Sequence, residues 1–146
     1  MTSPSSPSNP AVRQMRLVVT VDDVDVAAEL FEQTLGLDRV AEFGEAGARA
    51  LLFRAGVATL EIGNAEHARQ IDDLEVGRRV APRFRVALEV DDVTSRTRAA
   101  SALTGVEVMT DPVETPWGSL NSRLQAPDDL QLTLFEQVSG EPELDG

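Results

Sequence analysis

Apolar residues fall into two rhythms along the chain, one of period two and one of helical spacing, and the pair of rhythms occurs twice. Leu17, Val19 and Val21 alternate with polar or smaller residues, as a half-buried strand requires. Asp23 then offers an N-cap, and Ala27, Leu30, Phe31 and Leu35 recur at helical spacing, with Gly36 where a helix C′ glycine belongs. Strands are expected next at 38–43, 49–54 and 58–62. The second copy predicts a strand at 84–90, a helix over about 93–104, and strands at 106–110, 119–125 and 130–135. The join between the copies, 64–82, has room for a short helix.

The repetition is explicit in the residues. Arg16-Leu-Val-Val-Thr-Val-Asp-Asp-Val24 is matched by Arg85-Val-Ala-Leu-Glu-Val-Asp-Asp-Val93, and at the same offset Gly36 corresponds to Gly105. Two copies of a βαβββ unit follow, modules of about 12–63 and 83–137 with a linker at 64–82. Residues 1–11 are Ser/Pro-rich and 138–146 acidic, and both are expected to be disordered tails. The fold class is therefore α+β: one curved, mostly antiparallel eight-stranded sheet with helices on its outer face.

Composition changes the picture mainly by what it removes. With 146 residues the chain is one domain's worth, and no apolar run approaches the ~20 residues of a bilayer span. The start of the chain lacks a basic segment followed by an apolar one, so a cytoplasmic location is expected. There is no Cys, which excludes disulfides and thiolate chemistry, and all 13 basic residues are Arg, which excludes Schiff bases on Lys. His67 is the single His, so no site within one chain has two imidazoles. The net charge of −12 disfavours nucleic acid and anionic membranes, and favours neutral or cationic ligands.

The two modules, with VDDV opening each helix and LGL closing the first, resemble the vicinal oxygen chelate superfamily. That group includes glyoxalase I, bleomycin-resistance proteins, fosfomycin-resistance enzymes and extradiol dioxygenases. The segment from Pro116-Trp-Gly to Asp128-Asp129 resembles the family's PWG strand and DPDG-type turn. The resemblance covers 16–136. It implies metal ligands, in the members that use metal, on the first and last strand of each module. Here those positions hold Arg16, Glu61, Arg85 and Thr133. A guanidinium stays protonated and has no lone pair to give a metal, so only Glu61 remains a plausible ligand. Neither a metal nor another cofactor is expected.

Strand alternation leads to the same face. If Leu17, Val19, Leu60, Ile62, Phe84, Val86, Leu88, Leu132 and Leu134 pack under helices, the opposite face carries Arg16, Glu61, Arg85, Glu89, Thr133 and Phe135. Asn121 and Arg123 are expected on that face too, and Trp117 offers a flat surface for stacking. The plain alternative is a solvated sheet face with surface ion pairs. His67 is expected to be an exposed loop or helix residue, Asp22–Asp23 and Asp91–Asp92 to cap helices, and Phe53 and Phe84 to be core. The functional expectation is a metal-independent protein that binds a planar or cationic small molecule, similar to bleomycin-resistance proteins. In it Trp117 and Phe135 stack, Glu61 and Glu89 meet cationic groups, and Arg16, Arg85, Asn121 and Arg123 hold carbonyls or carboxylates. The alternative is a glyoxalase-, lyase- or dioxygenase-type enzyme using Glu61. By resemblance, the partners are a small molecule and a second copy in a homodimer.

Overall fold

A computed structural model of the protein describes residues 11–138. The two expected tails lie outside the described residues, apart from Ala11 and Val138. The eight strands are β1 (Val12–Thr20), β2 (Asp38–Phe43), β3 (Ala50–Ala55), β4 (Ala58–Gly63), β5 (Phe84–Val90), β6 (Glu107–Glu114), β7 (Ser119–Gln125) and β8 (Gln131–Gln137). Three helices join them: α1 (Val24–Glu29), α2 (Ala65–Glu75) and α3 (Val93–Ser101). α1 runs on through a wider π turn at Leu30–Thr34, where the Leu35 N–H reaches the Leu30 carbonyl at 3.0 Å.

One sheet contains all eight strands in the order β2-β3-β4-β1-β5-β8-β7-β6. The order shows the internal two-fold, because each module places its first strand at the centre beside its last. β1 and β5 meet antiparallel, with Arg16 opposite Ala87, Leu17 opposite Val86 and Val18 opposite Arg85. β1 runs parallel to β4 and β5 parallel to β8, and the remaining pairs are antiparallel. The two-fold therefore gathers the first and last strands of both modules in the middle of the sheet.

Both repeated Asp-Asp pairs open helices as expected. The Asp23 carboxylate accepts from the Asp25 and Val26 amides, and Asp92 accepts from the Ser95 amide. Gly36 and Gly105 both take a left-handed φ, +71° and +86°, so the repeated glycine marks a repeated turn. α1 packs on the first module over Leu51, Phe53, Leu60 and Ile62. α3 packs on the second over Val90, Leu124 and Leu134.

The structure departs from the pattern in four places. β1 begins at Val12, and β6 continues through Pro112 to Glu114. β6 is an edge strand with bulges, which is where a sheet tolerates proline. Leu17 and Phe84 belong to neither helix-covered cluster, and Phe84 is 61% exposed rather than core. Alternation identifies a face, not what covers it. Finally, the linker is an 11-residue helix, and α2 does not join the others outside. Ser122 of β7 bonds Thr97 of α3, whereas its neighbours Asn121 and Arg123 bond Glu75 and Asp72 of α2. α2 thus lies across the inner face.

Candidate functional site

The middle of the inner face is a cleft of about 60 Å³. Arg16, Glu61, Arg85 and Thr133 come to it from the four central strands, Asn121 from β7, Phe135 from β8, and His67 and Glu75 from α2. Trp117 reaches it from the β6–β7 turn, where Gly118 at φ +91° lets the Thr115 and Ser119 backbones close at 2.7 Å.

α2 is held in place from both ends. The Asn64 side-chain oxygen caps the helix by accepting from the His67 amide at 2.9 Å, and also accepts from the Arg49 amide, while its nitrogen donates to the Gly47 carbonyl. Gly63 makes the close approach possible, since a Cβ there would stand 3.2 Å from His67 Cδ2. At the other end Asp72 accepts from the Val80 and Ala81 amides through one oxygen and from Arg123 at 2.9 Å through the other.

Five of the nine expected site residues contact one another around the cleft, Arg16 with Glu61 and Phe135, and Arg85 with Thr133. Arg16 Nη1 stands 3.4 Å from Glu61 Oε1, and its guanidinium stacks on the Phe135 ring at 4.9 Å. Phe135 therefore already has a planar partner. His67 Nε2 lies 3.7 Å from Glu61 Oε2. Burial alone would push the Glu61 carboxyl up, but the His67 contact and the Arg16, His67 and Arg85 charges outweigh it and hold the group at about 2. Glu61 is thus an anion throughout the neutral range and a poor proton acceptor.

Arg85 is different. It is 8% exposed, and its one side-chain hydrogen bond among the described residues runs from Nη1 to the Thr133 hydroxyl. Its Nε has no partner, and no carboxylate among the described residues stands within ion-pair distance. Burial first, and the Arg123 charge second, pull this guanidinium below its ordinary value.

Arg123 and Glu89 are on the expected face but not in the cleft. Arg123 is fully buried beneath α2, with its guanidinium against Asp72 at 2.9 Å and Glu75 at 3.0 Å, and it also donates to Gln131. Glu89 lies farther along β5 and accepts from Gln14 at 2.9 Å. Asn121 donates to Glu75 at 3.0 Å and accepts from Ser119. His67 corrects the expectation of an exposed residue, as its side chain is 11% exposed. The helical spacing of His67, Ile71 and Glu75 from 64 onward was the signal that places it in the cleft.

Two βαβββ modules thus pair into one eight-stranded sheet with a polar cleft on its central strands. Residues 13–134 match the Glyoxalase/Bleomycin resistance protein/Dioxygenase superfamily, and the chain belongs to it. None of the curated protein sequences matches it. Among solved structures, it is similar to a superfamily member from Vibrio splendidus 12B01, with TM-score 0.60 and 10% identity over 86% of this chain and 99% of that one. It is also similar to a protein from Bacillus halodurans C-125, with TM-score 0.64 and 15% identity over 96% and 100%. Methylmalonyl-CoA epimerase from Mycobacterium tuberculosis gives TM-score 0.61 and 20% identity over 95% and 94%. Identities this low establish a shared fold.

The donor chemistry does not fit a resident divalent metal. Glu61 and His67 are two donors, but Arg16 occupies the other side of the carboxylate, and the remaining corners are Arg85 and Thr133. Among the described residues no group of three His, Asp or Glu side chains is placed to hold an ion.

Proposed function

We propose that the chain is a metal-independent small-molecule binding protein, similar in action to bleomycin-resistance proteins, which sequesters a drug or natural product rather than transforming it. The observation that carries this reading is a pair of guanidiniums, Arg16 and Arg85, at the centre of the cleft. Trp117 is half-buried at the cleft's rim and supports a ligand with a planar part. A cationic part has less support, because Glu61 is matched by Arg16 and His67, and Glu75 by Arg123 and Asn121. By likeness to the family, the protein would work in the cytoplasm as a homodimer.

His67 favours a second reading, an isomerase or lyase of the same superfamily. Held against Glu61 in the cleft, its imidazole would carry the proton that Glu61 is too acidic to accept. Elemental mass spectrometry of untagged protein, dialysed without chelator, tests the first reading. Less than about a tenth of an equivalent of any divalent metal is expected, and near-stoichiometric metal would overturn it. Trp117 fluorescence then follows ligand titrations, where Trp117→Ala is expected to weaken binding by about 1–3 kcal/mol. Unchanged affinity in that variant would remove the stacking role.

A further inference from the structure

The charges in and beside the cleft are each assigned a partner of opposite sign except for one. Arg123 lies between Asp72 and Glu75. Arg16 lies against Glu61, which also faces His67. Three cations and three carboxylates are thus present, but pairing is uneven: two of the carboxylates share Arg123, and Arg85 is left with a neutral hydroxyl. A buried guanidinium with no carboxylate at ion-pair distance carries a desolvation cost, which the Glu75, Glu61 and Asp72 charges offset only from farther away. Its Nε–H has no acceptor among the described residues, and neighbouring Thr133 and Asn121 supply neutral polar groups rather than negative charge. The carboxylates that would repel an incoming anion, Glu61 and Glu75, are each already in contact with a guanidinium.

We propose that Arg85, with Thr133, is an oxyanion-binding subsite, and that the ligand of the cleft carries a carboxylate which seats on it. This rests on the small-molecule-binding reading above and names its ligand class. A carboxylate is the chemical match because its two oxygens lie in a plane, as do the donors of a guanidinium. The cleft's size points the same way. At about 60 Å³ it is small beside the ~300–1,000 Å³ of a drug-sized pocket, so it takes the head of a ligand or a short acid whole. Trp117, in the wall of the same cleft, then meets the flat body attached to that head.

Three probes of one shape separate the possibilities: benzoate, benzamide and benzamidine carry negative, neutral and positive groups on the same ring. Binding to the full chain is followed by Trp117 fluorescence and calorimetry, with inorganic phosphate as a fourth probe. Benzoate is expected to bind at least tenfold more tightly than benzamide, and Arg85→Gln to lose at least tenfold for benzoate with little change for benzamide. Thr133→Val should weaken benzoate a few-fold and serves if Arg85→Gln does not fold, and the wild-type comparison of acid with amide needs no variant. Equal binding of benzoate and benzamide, or tighter binding of phosphate than benzoate, overturns the carboxylate assignment. If benzamidine or benzamide binds and benzoate does not, the subsite is wrong while the small-molecule reading stands. If none of the ring probes binds, both fall.

Discussion

Glu61 is the residue where burial and charge compete most directly. Burial alone would push this carboxyl up, but His67 at 3.7 Å, Arg16 at 3.4 Å and the Arg85 charge reverse the preference and hold it at about 2 against an ordinary 4.5. A carboxyl lowered on folding stabilises the fold above its unfolded value, and that contribution disappears as pH falls through the folded one. The stabilisation is therefore complete above about pH 4.5 and lost between there and pH 2, amounting to about 3 kcal/mol at full extent. Urea unfolding of wild type and Glu61→Gln across that window is expected to show the two stabilities converging as pH falls. Parallel curves would mean that Glu61 is not ionised in the folded protein. Glu61 and three positions around it, Arg16, Arg85 and Thr133, are readable from strand alternation, because that depends on period alone. The partner that sets Glu61's acidity, His67, is not.

The reason lies at the scale of the element. α2 buries Ile71, Asp72 and Glu75, so two of its three buried side chains are carboxylates. An apolar stripe there contains little beyond Ile71, so the sequence leaves room for a short helix in the linker without showing which face turns inward. What turns the acidic face inward is Arg123, buried beneath it on β7 and bonded to both Asp72 and Glu75. The triad is a long-range pairing that no local window contains. Removing the cation leaves two buried anions, so Arg123→Met is expected to cost about 3–5 kcal/mol in urea unfolding, with α2 losing amide-exchange protection first. Adding Asp72→Asn and Glu75→Gln to the same variant should recover much of the loss. If the triple variant is no more stable than the single one, packing of the Arg123 stem rather than charge holds α2. Helices α1 and α3, by contrast, were legible because they follow Asp caps and cover Leu, Val and Phe positions of the sheet. The exposed Phe84 shows the limit of that pattern, which gives a side and not a neighbour.

Across the whole molecule the outer field opposes the one guanidinium of the site, Arg85, that has no carboxylate partner. The net charge is −12, and the segment 11–137, with 22 acidic and 13 basic residues, keeps −9 of it. That charge repels an anionic ligand over tens of ångströms at low salt, while Arg85 attracts it only within the cleft. Salt separates the two effects, because the Debye length falls from ~30 Å at 0.01 M to ~8 Å at 0.15 M while a buried contact is screened far less. The association rate of benzoate is therefore expected to rise by about two- to fivefold over that range, with the dissociation rate nearly constant. Benzamidine gives the opposite trend if it binds at all, since the outer field draws a cation in. Stopped-flow measurement of Trp117 fluorescence at four or five salt concentrations resolves both rates. A benzoate association rate that falls with salt would place the binding event outside the acidic field, and so away from Arg85. The acidic surface, which by itself suggests a cationic ligand, thus becomes a constraint on how fast an anion arrives rather than on whether it binds.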